Sequence, residues 1–250
     1  MEARSKFYLE IADNALILSH RLSENCSRGP FLEEDLANTN VALDLIGLAE
    51  SVYEELAKIE DKGQVGDDIA YRREAWEYYN TLLVEQPNDD FAHLMVRQFF
   101  VDVYHLHFFE ALTSSKDEFL AGLAHKSLKE VKYHVKRSSE WIIRFGQGTT
   151  VSKEKGQIAI AYLRPFTFDL FEETEAATEM KHIGFGVDFK DLQSQWEIHV
   201  LDIFTKAGFV VPETKNHQVG GKRGVHSEKL GYILTEMQYL PSKYQDARWW

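Results

Sequence analysis

Cysteine is nearly absent: Cys26 stands alone among 250 residues, so no disulfide can form within the chain and no cysteine-based zinc spacing exists. The cytoplasm, a reducing compartment, is the expectation. Proline is scarce as well, five in all, placed mostly at segment edges or in the C-terminal part, which leaves long stretches open to helix. Long hydrophobic runs are missing. After Glu2, Arg4 and Lys6 the first apolar stretch is only Ala15-Leu16-Ile17-Leu18, too short for a signal peptide or a membrane span. Excess basic charge is lacking too: a net charge of −12 argues against nucleic acid or an anionic membrane as a partner. No Gly-x-Ser-x-Gly elbow or Walker loop occurs, and Cys26 has no adjacent helper, so hydrolytic chemistry has no foothold.

What is present suits a sizeable core. Hydrophobic residues make up 44% and aromatics 13%, enough for a thick interior or a large interface. Strand-like alternation is rare, and the 3.6-residue periodicity predicts an all-α chain with helices at about 6–26, 33–60, 67–85, 89–113, 117–145, 152–179, 189–206 and 226–240. Asn88 or Asp89 is the expected cap of the fourth. Residues 1–250 read as one domain, with an arm over 210–250 that carries Pro212, a glycine-rich loop and the terminal Trp249-Trp250. Tandem tryptophans call for cover, so the arm is expected to pack on the body or on a partner. Met237, Tyr232 and Tyr239 read as packing residues.

Carboxylates interrupt several of the apolar helical stretches. Asp44 lies in Val41-Ala42-Leu43-Asp44-Leu45-Ile46-Gly47-Leu48-Ala49, where burial is expected and a metal, a cation or a proton must neutralise it. Asp102 and His105, three residues apart, share the stripe Leu94, Gln98, Asp102, His105, Phe109. Such a pair can hold a metal or form a buried ionic contact. Glu130 stands beside the inner face Leu120, Leu123, Ser127, Val131, His134, Ser138, Trp141, while Lys126, Lys129, Lys132, Lys136 and Arg137 read as a solvated face. Asp169 and Glu172 continue a stripe from Ile158, Tyr162 and Pro165, with Pro165 bending that helix.

Di-iron carboxylate bundles draw one Glu from each of two helices and a Glu-x-x-His from each of two others. Asp44 and Glu130 could fill the single-carboxylate places, and Asp102 with His105 a shortened Glu-x-x-His. The fourth contribution breaks the pattern, because Glu172 stands where the second imidazole belongs. His134 is a substitute on the wrong helical turn. The set reads as a degenerate centre with no catalytic residue and no resident metal; the alternative is an independent di-iron oxidase or hydroxylase with its own site.

Gly220-Gly221-Lys222-Arg223-Gly224-Val225-His226 is a basic glycine loop entering a helix. Lys222, Arg223 and His226 could receive a coenzyme A phosphate or contact a partner, against the plainer reading of an ordinary turn.

Several segments together carry a resemblance: Asp13-Asn14-Ala15-Leu16-Ile17-Leu18-Ser19, Asn40 to Gly47, Leu83-Val84-Glu85-Gln86-Pro87-Asn88, Arg97 to Asp102 with His105, Lys129 to His134, Gly220 to His226 and Glu236-Met237-Gln238-Tyr239-Leu240. The chain resembles the C-subunit family of bacterial ring-1,2-phenylacetyl-CoA epoxidases, the multicomponent oxygenases of phenylacetate degradation. The resemblance implies a ferritin-like four-helix bundle core with additional N- and C-terminal helices. It further implies a structural, substrate-supporting subunit without metal, in which Asp44, Asp102, His105 and Glu130 are remnants of a centre. Its partners would be a homologous catalytic A subunit holding di-iron, a small accessory subunit, and an NADPH-dependent reductase with flavin and an iron–sulfur cluster. Phenylacetyl-CoA would bind the assembled complex, and a homodimer is the assembly to expect in isolation.

Overall fold

The computed structural model describes residues 2–244, and its helices follow the apolar periodicity. In chain order they are α1 (Glu2–Ser23), α2 (Leu32–Glu60), α3 (Gly66–Tyr71), α4 (Leu82–Glu85), α5 (Phe91–Leu112), α6 (Glu118–Gln147), α7 (Thr150–Leu163), α8 (Glu175–Ile183), α9 (Phe189–Ala207) and α10 (Glu228–Lys243). No strand occurs among the described residues. The fold is all-α and of the ferritin-like bundle type, built on long helix pairs. Trp249 and Trp250, the expected anchor of the arm, lie outside the described residues.

Contacts divide the chain into two compact units, one running to Gln86 and resuming at Gly220, the other spanning Pro87–Val219. In the first, α1 packs along α2 and also meets α4 and α10, while α10 reaches α3 and the short 3-10 turn Ala75–Glu77. In the second, α5 packs on α6, α7 and α9. That crowding explains why nearly every residue from Ala92 to His105 is buried and why α5 is apolar almost all round. The arm is shared: Val210 is tied to Gln157, and Gln218 N–H donates to the Pro165 carbonyl in the second unit, whereas residues from Gly220 belong to the first.

Side chains set the helix ends. The cap of α5 is Asp90, whose carboxylate accepts from His93 N–H at 3.0 Å, one residue beyond the expected pair. Asp117 caps α6 by accepting from Phe119 N–H, and Asp188 caps α9 through Lys190 N–H. Gly184 and Gly208 close α8 and α9 in the left-handed conformation.

Two expected helices are broken. Over 67–85 only α3 and α4 are α-helical, because α1 captures the backbone between them: Tyr79 N–H donates to Asp13 Oδ2 at 2.8 Å and Thr81 N–H to Asn14 Oδ1 at 3.1 Å. Those donors are no longer available to a helical ladder. Over 152–179 the α-helix stops at Leu163 and the chain tightens into a 3-10 segment, Arg164–Phe171. Pro165 has no N–H for the next α-helical turn. On α10 Met237 is buried as expected, but Tyr232 and Tyr239 point into solvent, 66% and 56% exposed.

Candidate functional site

The polar interior of the second unit centres on α5. Its stripe is buried throughout: Leu94, Gln98, Asp102, His105 and Phe109 are each at most 5% exposed. Asp102 and His105 do share that face, yet they do not bond to each other. Gln98, one turn earlier, donates Nε2–H to Asp102 Oδ1 at 2.6 Å, and Oδ2 makes no hydrogen bond. Burial pushes the Asp102 pKa up, against the opposing influence of His134, Ser138, Gln98 and Arg137. His105 is pushed down to about 3 by burial and by the neighbouring His134. It is therefore neutral at ordinary pH and cannot serve as the imidazolium partner the spacing suggested.

α6 supplies the groups that face Asp102. His134 is 3% exposed and Ser138 fully buried, its hydroxyl donating to the His134 carbonyl at 2.9 Å. Arg137, expected in the solvated face, is only 8% exposed. Its positive charge lowers the Asp102 pKa, which explains its inward position, since a buried carboxylate draws a cation off the surface. Lys126, Lys129, Lys132 and Lys136 are exposed as expected.

The remaining carboxylates do not complete the pattern. Asp44 sits in the first unit and is half-buried rather than enclosed, because α2 also leaves Leu43 and Ile46 open at 60% and 37% exposure. Glu130 is half-buried on α6. Asp169 is fully buried, but it lies in the 3-10 segment, and Glu172 follows that segment in an extended conformation. The two therefore lack the α-helical register that makes Glu-x-x-His a chelating pair. Nor do Ile158, Tyr162 and Asp169 share a face, since Ile158 is 61% exposed. Among the described residues no group of three or more His, Cys, Asp or Glu side chains is placed to hold one metal ion. This donor set does not fit a di-iron pair.

The most densely bonded polar cluster lies in the first unit, where of the sequence-predicted site residues it takes in only His226. Glu85 is fully buried and accepts from His226 Nδ1–H (2.6 Å), Ser227 Oγ–H (2.6 Å), Ser227 N–H (2.9 Å) and Asn80 Nδ2–H (3.0 Å). Its backbone carbonyl takes the Arg21 guanidinium. Asp13, also fully buried, accepts from Arg73, from Tyr53 Oη–H at 2.5 Å and from Tyr79 N–H. Burial works against the charge on Arg73, but Asp13 outweighs it and raises the pKa; burial and Asp13 together push the Tyr53 phenol well up. Gln238 of α10 donates to the Arg73 carbonyl at 2.7 Å and to Tyr78 Oη at 3.1 Å. The available signal was that Asp13, Asn14, Arg21 and Glu85 are polar residues among buried apolar neighbours, with Gln238 half-buried beside Met237.

This cluster redefines the basic loop. Lys222 is 5% exposed, His226 is committed to Glu85 and to the Tyr78 carbonyl, and only Arg223 of the three lies at the surface. Gly220 and Gly224 take φ of +124° and +76°, and a Cβ on Gly224 would stand 2.3 Å from the Trp76 carbonyl oxygen. The glycines are there for a turn and a close backbone approach. On α2, Leu32, Leu36 and Leu43 fall on one helical face, 68%, 54% and 60% exposed.

Comparison with known proteins agrees with these motifs. Residues 1–249 match the phenylacetic acid catabolic protein family. The chain is 39% identical over 249 residues to the C subunit of 1,2-phenylacetyl-CoA epoxidase from Escherichia coli (strain K12), covering 100% of both chains. With full-length agreement of that kind, joined to an all-α fold, the chain belongs to the phenylacetic acid catabolic protein family.

Proposed function

We propose that this chain is a non-catalytic subunit of a multicomponent di-iron oxygenase that epoxidises the ring of phenylacetyl-CoA in phenylacetate catabolism. The carrying observation is the broken ligand pattern: Asp169 stands on a 3-10 segment and Glu172 follows it in extended conformation, so the two lack α-helical register, and Asp102 is bonded within its own helix by Gln98. The di-iron belongs to a homologous A subunit, and electrons come from the NADPH-dependent reductase; the assembly also includes a small accessory subunit. This chain's part is to support the catalytic subunit and the substrate. The open leucine face of α2 is the kind of surface that becomes covered on assembly. Operation in the cytoplasm accords with Cys26, which is free and exposed. No helix is long and apolar enough to cross a membrane among the described residues.

Reconstitution of the assembled epoxidase with an Asp102→Asn, His105→Gln variant of this chain tests the reading. Epoxide formation at the wild-type rate is expected once assembly is intact. Loss of turnover in an intact assembly would move the chemistry into this chain.

A further inference from the structure

A second imidazole pair lies between α5 and α9. His107 Nε2 and His199 Nδ1 face each other at 3.3 Å, with the rings inclined at 74°. Glu110, one turn along α5, places Oε2 3.5 Å from the other nitrogen of His107, Nδ1, which makes no hydrogen bond of its own. Gln195, one turn before His199 on α9, also faces His107, while Asp202 and Lys206 face His199 and are bonded to each other at 2.6 Å. Both residues are partly buried. Burial lowers the pKa of each ring, opposed at His107 by Glu110 and reinforced at His199 by His107. Two neutral rings therefore turn nitrogens toward one another, and only one proton fits between them.

The spacing has a chemical meaning. In a tetrahedral zinc site with Zn–N of about 2.0–2.1 Å, two nitrogen ligands lie about 3.3–3.4 Å apart. Neutral imidazole suits zinc, copper and nickel, and a ligating histidine usually directs its second N–H to a carboxylate. Glu110 is placed for that on the far side of His107.

We propose that His107 and His199 form a two-histidine site, bridging α5 and α9, for a borderline divalent transition-metal ion such as Zn2+. The ion takes the place of the proton between the rings. The displaced proton moves to the outer nitrogen of the ring that donated it, so that His107 carries its proton on Nδ1, toward Glu110, and His199 carries its own on Nε2; both ligands stay neutral and no net proton is released. Water completes the coordination, in keeping with the absence of a third protein ligand among the described residues. Glu110 and Asp202 offset the added positive charge. This site is separate from Asp102 and His134 and does not depend on the chain's role in an oxygenase.

Calorimetric titration of Zn2+ into the metal-free full chain tests the proposal. Saturable binding of one ion per chain is expected, with a rise in melting temperature as zinc binds the folded state. His107→Gln and His199→Gln each abolish binding, Glu110→Gln weakens it by about ten- to a hundred-fold, and His134→Gln leaves it unchanged. No saturable binding, or binding that survives both His107→Gln and His199→Gln, overturns the proposal. A check independent of variant folding follows the histidine ring resonances of the wild-type protein with Ni2+. Broadening centred on His107 and His199 supports the site, and broadening centred on any other histidine overturns it.

Discussion

The imidazole of His226 is bound as a cation by the carboxylate of Glu85. Nδ1 faces Glu85 Oε1 at 2.6 Å and Nε2 faces the Tyr78 carbonyl at 2.8 Å; both partners accept only, so both ring nitrogens must carry protons. Burial opposes the charge, but the hydrogen bond and attraction of Glu85 outweigh it, and the pKa is raised above 6.5. The contact joins the turn before α10 to the end of α4, and it fixes the C-terminal segment in the first unit.

Stability should therefore fall as pH rises. A raised histidine pKa contributes stability that is fully present below the unfolded value near 6.5 and is lost as pH climbs through the folded value. Urea denaturation across neutral to mildly alkaline pH is expected to show a declining midpoint in the wild type and a flatter profile in His226→Gln. Glu85→Gln removes one charge of a buried pair and should cost about 3–5 kcal/mol; a loss too small to measure would show the pair to be solvated.

Glycines 224 and 231 should respond in opposite directions to alanine. Gly224→Ala forces a side chain into positive φ and onto the Trp76 carbonyl, a loss of about 1–3 kcal/mol for backbone strain alone. Gly231, inside α10 with nothing within 4 Å of its Cβ position, should gain about 0.5–1 kcal/mol. Thermal melts of the two variants decide it, and a tolerated alanine at 224 would return the loop to an ordinary flexible turn.

Asp102 should tolerate an amide better than a methyl group. Asn keeps an oxygen for Gln98 and removes the cost of ionising a buried carboxyl, so Asp102→Asn should change stability by less than about 1 kcal/mol, whereas Asp102→Ala strands the Gln98 amide and should cost about 1–3 kcal/mol. Equal losses in both variants would show that the charge itself, facing Arg137, holds the interior together.

The long helices were legible because their apolar stripes are internal to each segment; α2, α5, α6 and α9 begin and end within a few residues of their periodic patterns. Features set by distant residues were not. The break after α3 depends on Asp13 and Asn14, more than sixty residues earlier. Arg137 and Lys222 look like surface cations until their surroundings are seen. Spacing correctly placed Asp102 and His105 on one face, but it could not say that Gln98, four residues back, would take the carboxylate.

The α2 face should matter for assembly alone. Leu36→Glu with Leu43→Glu replaces exposed apolar side chains by charge, so the isolated chain should keep its stability within about 0.5 kcal/mol. Co-expression with a homologous catalytic subunit should then give no complex. A complex of normal composition would place the contact on another surface.

The central claim, a chain without its own oxygenase centre, is tested most directly by iron analysis of the purified chain after aerobic reconstitution with ferrous iron and desalting. The account predicts well under one iron per chain and no carboxylate-bridged diferric absorption. About two irons per chain with that absorption, the signature of a di-iron carboxylate bundle, would contradict it.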